Sequence, residues 1–275
     1  MDLEGKTAIV TGSGSGVGRE LARAFARVGA NVVCCGRRAA RLHETVAMIE
    51  AGGGTGLAVP TDVTDWAQVQ SLVQATLQRF SQIDLLFNNA GSFQHVGPAW
   101  AADPEEWWHD VTVNLRGTML CCRAVLPHMM ERDTGMIINM DGGGGSGGPN
   151  IGGSAYGCSK AALVRFSEGL ARELEQVGST ILVFCMNPGF VRSEMTEALI
   201  STPQKREWQV HVPRLMGSPQ ERPPDACAKA TMRLLRIASR ELSGRVFSVD
   251  TDFDEVERRK AEIQAGDLYV MRRRT

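Results

Sequence analysis

The chain has 275 residues, 43% apolar and 22% charged, which suits one domain with a sizeable core. Its net charge of −1 gives no electrostatic footprint for nucleic acid or an anionic membrane surface. The start MDLEGKTAIV is acidic where a signal peptide would be basic, and no segment reaches the roughly 18 apolar residues of a membrane span, so a soluble, cytoplasmic protein is expected.

A β-branched apolar run at 7–11 opens the chain as a strand, and a helical pattern near 17–28 follows it. The alternation continues with strand 31–35, helix 38–50, strand 56–60, helix 66–80, strand 83–87 and helix 105–130. Strand 135–140, helix 155–177, strand 180–186, helix 224–238 and strand 245–249 complete it. Short strands alternating with longer helices are repeated βαβ units. Right-handed crossovers wind them into an α/β doubly wound, parallel, seven-stranded sheet with helices on both faces, and ligands bind beyond the carboxyl ends of the strands. A single domain over 1–275 is expected.

Two segments break the rhythm. The glycine-rich DGGGGSGGPNIGG at 141–153 stands between a buried strand and a helix that carries reactive side chains, so it reads as a site loop. Residues 194–224 form a connection too long for an ordinary turn, with prolines at 203, 213, 219, 223 and 224, and read as a substrate lid. The extension at 250–275 mixes acids and bases and reads as one exposed helix within reach of a neighbouring subunit, ending in a solvated, basic MRRRT. Seven cysteines, at 34, 35, 121, 122, 158, 185 and 227, lie in apolar segments and read as small core hydrophobes. Neither they nor the five histidines have ligand spacing, so no metal is expected.

The chemistry is concentrated at two places. Tyr156 and Lys160 stand four apart at the head of a helix, hence on one face, and an ammonium beside a phenol favours the phenolate, lowering a pKa that is ordinarily about 10. Such a pair can act as general acid and base on an alcohol or carbonyl. After the first strand, TGSGSGVG places Gly12, Gly14, Gly16 and Gly18 among Ser13, Ser15 and Val17, ahead of a helix. Without side chains the backbone turns tightly and approaches a pyrophosphate, which rests on the helix N-terminus.

These motifs, with Asp62-Val63, Asn88-Asn89-Ala90-Gly91, Asn114 and Asn187-Pro188-Gly189, resemble the short-chain dehydrogenase/reductase family from about residue 5 to 250. The resemblance implies a Rossmann-type fold. It makes Tyr156 the general acid/base, gives Lys160 the tasks of lowering the tyrosine pKa and holding the ribose, and has Asn114 order a proton relay. It places Asp62 and Val63 beside the adenine and Asn89, Ala90 and Gly91 in the cofactor floor. Pro188, Gly189, Val191 and Ser193 would border the nicotinamide. A homodimer or homotetramer is also implied. Where a member using NAD(H) carries an acid after the second strand, this chain has Gly36, Arg37 and Arg38, and the guanidinium groups favour the 2′-phosphate of NADP(H).

One departure stands out. The family's catalytic serine lies about thirteen residues before the tyrosine, but here that count reaches Gly143, and the register from Asn139 reaches Asp141 and Gly142. Ser146 is the nearest serine upstream of the tyrosine helix and the expected substitute donor to a substrate carbonyl; the main-chain N–H groups of the glycine loop compete for that role. The NMDG and Ser-Gly-Gly elements also resemble the matching loop of plant chlorophyll b reductases. Phe93, His95, Trp100, Trp107, Trp108, Trp208 and Met216 fall in loops around the expected pocket, and those that line it would suit a bulky, apolar substrate. The expected function is an NADP(H)-dependent oxidoreductase interconverting an alcohol and a ketone or aldehyde. The alternatives are a cofactor-binding scaffold or redox sensor, and an epimerase or dehydratase on the same fold.

Overall fold

The computed structural model describes residues 1–272, so residues 273–275 of the basic ending lie outside the described residues. In chain order, β1 (Thr7–Thr11), α1 (Gly16–Arg27), β2 (Asn31–Gly36), α2 (Ala39–Ala51), β3 (Thr55–Pro60), α3 (Trp66–Phe80) and β4 (Leu85–Asn88) form the first half. Next come α4 (Pro104–Val111), a π-helical turn (Thr112–Gly117), α5 (Thr118–Glu131), β5 (Met136–Met140), α6 (Ser154–Gln176) and β6 (Leu182–Asn187). The long connection that follows holds β7 (Phe190–Val191), α7 (Glu194–Ala198), α8 (Pro203–Trp208), α9 (Val212–Leu215) and β8 (Glu221–Arg222). Helix α10 (Ala226–Ile237), β9 (Val246–Ser248), α11 (Phe253–Arg258) and α12 (Lys260–Ala265) close the chain.

The seven principal strands pair in the order β3-β2-β1-β4-β5-β6-β9, all parallel, as the βαβ pattern predicts. A parallel sheet covered on both faces must be apolar throughout, and TAIVT of β1 and MIINM of β5 are buried at every position. Alternate side chains then feed two cores. Ala8, Val10, Val32, Cys34 and Phe87 meet α1, α10 and α11 on one face, whereas Ile9, Val33, Cys35, Leu86 and Ile137 meet α3, α5 and α6 on the other. The chain winds outward from β1 in both directions, so a crevice opens between the ends of β1 and β4.

Local chemistry sets the helix ends. Asp65 accepts from the N–H groups of Ala67 and Gln68 at the start of α3, and Asp103 does the same for Glu105 and Glu106 ahead of Pro104 in α4. Two expectations need correction. The extension is not one exposed helix: α11 and α12 bury Phe253, Val256 and Ile263 in this chain's own core, and Tyr269 O accepts from Val246 N, closing the open edge of β9. Apolar residues three and seven apart, hidden among charges, drive that docking. Of the seven cysteines Cys158 is exposed, while burial pushes the thiols of Cys35, Cys122, Cys185 and Cys227 up to about 12. Among the described residues no helix is long and apolar enough to cross a membrane, and no three His, Cys, Asp or Glu side chains gather as a metal site.

Candidate active site

A cleft of about 710 Å³ runs along the carboxyl ends of the strands, from Arg37 and Asp62 at one end to Gln209 and Val212 at the other. The glycine turn after β1 forms its floor. Asn89 Nδ2 donates to the carbonyls of Thr11 (2.8 Å) and Gly12 (3.2 Å), and Thr11 Oγ1 accepts from the N–H groups of Asn89 and Ala90 at 3.0 and 2.9 Å. A Cβ on Gly18 would lie 2.4 Å from both Asn89 Nδ2 and Gly12 O, whereas among the described residues a Cβ on Gly16 would meet only Ser193 Cβ, at 3.8 Å. The turn is therefore closed behind and open toward the cleft, at the N-terminus of α1. That is the cradle a dinucleotide pyrophosphate needs, and the residues present fit one.

Most of the residues expected to hold a cofactor line this cleft: Gly12, Gly14, Ser15, Gly16, Val17, Gly18, Arg37, Arg38, Asp62, Val63, Asn89, Ala90, Gly91, Pro188, Gly189, Val191 and Ser193, with Tyr156 and Lys160. Ser13 is turned away. Its Oγ accepts from Cys35 N at 3.0 Å and its carbonyl accepts from Thr45 Oγ1 at 2.9 Å, so it fastens the turn to β2.

Tyr156 sits in the first turn of α6, stacked on Phe93 with ring centroids 4.3 Å apart and planes 9° apart. One turn on, Lys160 is buried, its Nζ donating to Met140 O at 2.7 Å and lying 5.5 Å from the Tyr156 ring centre. Burial lowers the Lys160 pKa to about 8 against the opposing pull of Asp141. The tyrosine departs from expectation. Burial first, and then the negative charges of Asp141 and Asp110, raise the phenol well above its ordinary value, and in this geometry the lysine does not offset them. The neutral phenol is the form that donates a proton.

Asn114 is fully buried behind the wall, in the π-helical turn that interrupts what reads in sequence as one helix. Its Oδ1 accepts from Ser92 N at 2.8 Å, and its Nδ2 donates to Ser92 O and Ser159 Oγ, both at 2.9 Å. It thus ties the segment after β4 to the catalytic-looking helix. Asp110, which no motif marks, completes that brace: its carboxylate accepts from Ser92 Oγ (2.6 Å), Gln94 N (2.9 Å) and His95 N (3.0 Å), fixing the loop that presents Phe93.

Gly142 occupies the place beside the tyrosine hydroxyl, where a Cβ would lie 2.3 Å from Tyr156 Oη. Asp141 is buried and lines the cleft; its Oδ2 accepts from Ser146 Oγ at 2.7 Å and from Asn187 Nδ2 at 3.2 Å. Ser146 itself is exposed and does not line the cleft. Of the expected aromatics, Phe93 lines the cleft, whereas Trp100 and Trp208 meet edge to face at 6.1 Å beside it and Trp107 and Trp108 pack on each other at 5.2 Å.

Residues 6–204 match the family profile described as short chain dehydrogenase. The chain belongs to the short-chain dehydrogenase family. A short chain dehydrogenase of Pseudocercospora fijiensis is 37% identical over 235 residues, 82% of this chain and 74% of that protein. Among solved structures, levodione reductase superposes with a TM-score of 0.80 at 28% identity, covering 90% of this chain and 97% of that one. A single-substitution variant of actinorhodin polyketide ketoreductase, solved with NADPH, gives 0.77 at 27% identity over 89% and 95%. This short-chain dehydrogenase is an oxidoreductase with the family's nicotinamide-binding architecture.

Proposed function

We propose that this short-chain dehydrogenase is an NADP(H)-dependent oxidoreductase that interconverts an alcohol and a ketone or aldehyde, with Tyr156 as general acid/base. One observation carries the reading: a half-buried Tyr156 beside a buried Lys160 opens onto the same cleft as a glycine cradle shaped for a pyrophosphate. A bound nicotinamide supplies or accepts the hydride. The protein's own residues bind, orient and move the proton. Phe93 and Gly142 hold the phenol in place, and its raised pKa keeps the proton available for a developing alkoxide. Lys160 anchors the ribose side, and Asn114 keeps α6 in register with the loop after β4. Asp62 and Val63 stand at the adenine end, and Pro188, Gly189, Val191 and Ser193 at the nicotinamide end.

For the 2′-phosphate the reading rests on Arg37 and Arg38 at the cleft mouth, with no acid at Gly36 to repel it. The ketoreductase solved with NADPH is in keeping with it. Two groups compete for the hydrogen bond to the substrate carbonyl. The Ser146 hydroxyl is engaged by Asp141, whereas the N–H groups of Gly142 and Gly143 have no acceptor among the described residues and border the cleft. The amides are the stronger assignment, with Ser146 acting through Asp141. A cytosolic homodimer or homotetramer completes the reading and rests on the family resemblance.

The test is oxidation of NADPH and NADH by purified protein across a panel of ketones and aldehydes. Tyr156→Phe is expected to lose about 10²- to 10⁴-fold in kcat. Ser146→Ala is expected to lose less than about tenfold; a loss of about 10²-fold or more would return the donor role to Ser146. Tight NADPH binding without turnover on any carbonyl would sink the oxidoreductase assignment in favour of a binding protein.

A further inference from the structure

The lid reaches back to the cofactor's far end through one side chain. Glu194, the first residue of α7, pairs through Oε2 with Arg38 Nη1 at 2.9 Å and through Oε1 with Arg41 Nη2 at 3.9 Å. Arg38 Nη2 also donates to Ser15 Oγ at 3.2 Å, so the guanidinium bridges the glycine turn and the lid. Arg37, Arg38 and Glu194 all line the cleft mouth. The preceding Ser193 caps α7 with its own side chain and lies over Gly16, whose Cβ would be 3.8 Å from Ser193 Cβ. The first turn of α7 therefore rests on the glycine turn while its carboxylate pairs with the Arg38 guanidinium at the cleft mouth. Arg37 makes no ion pair among the described residues.

We infer that Glu194 is an internal stand-in for the 2′-phosphate, competing with it for Arg38 and so setting both the preference between NADP(H) and NAD(H) and the closure of the lid. The inference rests on the NADP(H) reading above. The electrostatics are simple. A carboxylate of charge −1 and a phosphate monoester of charge near −2 cannot share one guanidinium without repulsion, and the phosphate gains Arg37 as well. Binding of the phosphorylated ribose therefore releases Glu194 and frees the first turn of α7. An adenosine ribose without the phosphate leaves the Glu194–Arg38 pair intact and the lid pinned. Glu194 thus subtracts from affinity for the phosphorylated cofactor alone, by an amount that scales with the exposed ion pair it forms.

Two small probes separate the parts: 2′,5′-ADP, which carries the phosphate, and 5′-AMP, which lacks it. Their dissociation constants are measured by titration calorimetry for wild type, Glu194→Gln and Arg38→Gln at low and high salt. Glu194→Gln is expected to tighten 2′,5′-ADP by about three- to fivefold, to leave 5′-AMP unchanged, and to lose that advantage in about 0.5 M NaCl. Hydrogen exchange over residues 194–198 should rise in wild type on adding 2′,5′-ADP and not on adding 5′-AMP. An unchanged ratio of the two affinities in Glu194→Gln, or an equal shift of both ligands, overturns the competition. The underlying cofactor reading is judged separately: it fails if wild type and Arg38→Gln bind 2′,5′-ADP equally well, whatever Glu194→Gln does.

Discussion

Lys160 is buried together with its amine, so the site carries a charge that the fold would be more stable without. Burial lowers its pKa from the ordinary 10.5 to about 8, which means that the folded state binds this proton less readily than the unfolded chain does. Below about pH 8 both states are protonated and the full penalty applies. As pH rises toward 10.5 the folded state sheds its proton first and the penalty is relieved, so this group alone makes stability rise with pH across that window. The gap between the two values corresponds to about 3 kcal/mol at pH 7, falling to about 2 kcal/mol at pH 9. Lys160→Met removes the titration while keeping the length and apolar stem of the side chain. It also leaves Met140 O without its donor, at a cost of about 1–3 kcal/mol, but that cost does not depend on pH. The stability difference between Lys160→Met and wild type should therefore move by about 1 kcal/mol between pH 7 and pH 9, in favour of wild type at the higher pH. Urea unfolding followed by circular dichroism at pH 7, 8 and 9 measures it, because all other titrations are common to both proteins. A difference that stays flat within about 0.3 kcal/mol would show that the amine is not held at a depressed pKa and would refute the argument from burial.

Other perturbations test the frame around the site. Gly18→Ala drives a methyl against Gly12 O and the Asn89 side chain, so dinucleotide binding should be lost in calorimetry and stability should fall by roughly 1–3 kcal/mol in urea unfolding. Asp110→Ala strands Ser92 Oγ, Gln94 N and His95 N; thermal unfolding should report a loss of about 3 kcal/mol or more, and a loss below about 1 kcal/mol would mean the loop does not depend on the brace. Phe253→Ala empties a buried ring site between α10 and β9 and should cost about 3–5 kcal/mol, where a helix lying exposed or docked on another subunit would give almost no change in the monomer's unfolding.

The sheet was legible in sequence because a parallel strand buried on both faces must be a short β-branched run, and TAIVT, NVVCC and LVFCM announce themselves. The glycine cradle and the Tyr156–Lys160 spacing were legible for the same reason: each is local, with its geometry dictated within one turn of chain. What escaped depends on partners far apart. Asp110 meets residues fifteen to eighteen positions earlier, Glu194 meets arginines more than 150 positions earlier, and Asn114 braces Ser92 and Ser159 from a π-turn that helix periodicity does not reveal. The Tyr156 shift runs opposite to what spacing implies on the same ground, because spacing places a lysine nearby but says nothing of two buried carboxylates or of how dry the pocket is.

The glycine loop shows why composition could not decide between a linker and a site. A Cβ on Gly142 would strike the Tyr156 hydroxyl at 2.3 Å, and one on Gly145 would lie 1.8 Å from Asp141 Oδ1. Two glycines in one run are thus demanded by two different residues, the Tyr156 phenol and the Asp141 carboxylate just after β5. The absence of the family's serine and the presence of Asp141 follow from one arrangement: with the phenol seated against Gly142, no side chain fits there, and the loop folds over a carboxylate that Ser146 and Asn187 satisfy. A serine at 142 would have to displace the tyrosine, and a side chain at 145 would have to displace the aspartate. These positions act as a set, and they leave the main-chain N–H groups of Gly142 and Gly143 uncovered by side chains at the edge of the cleft, as the proposed donor role requires.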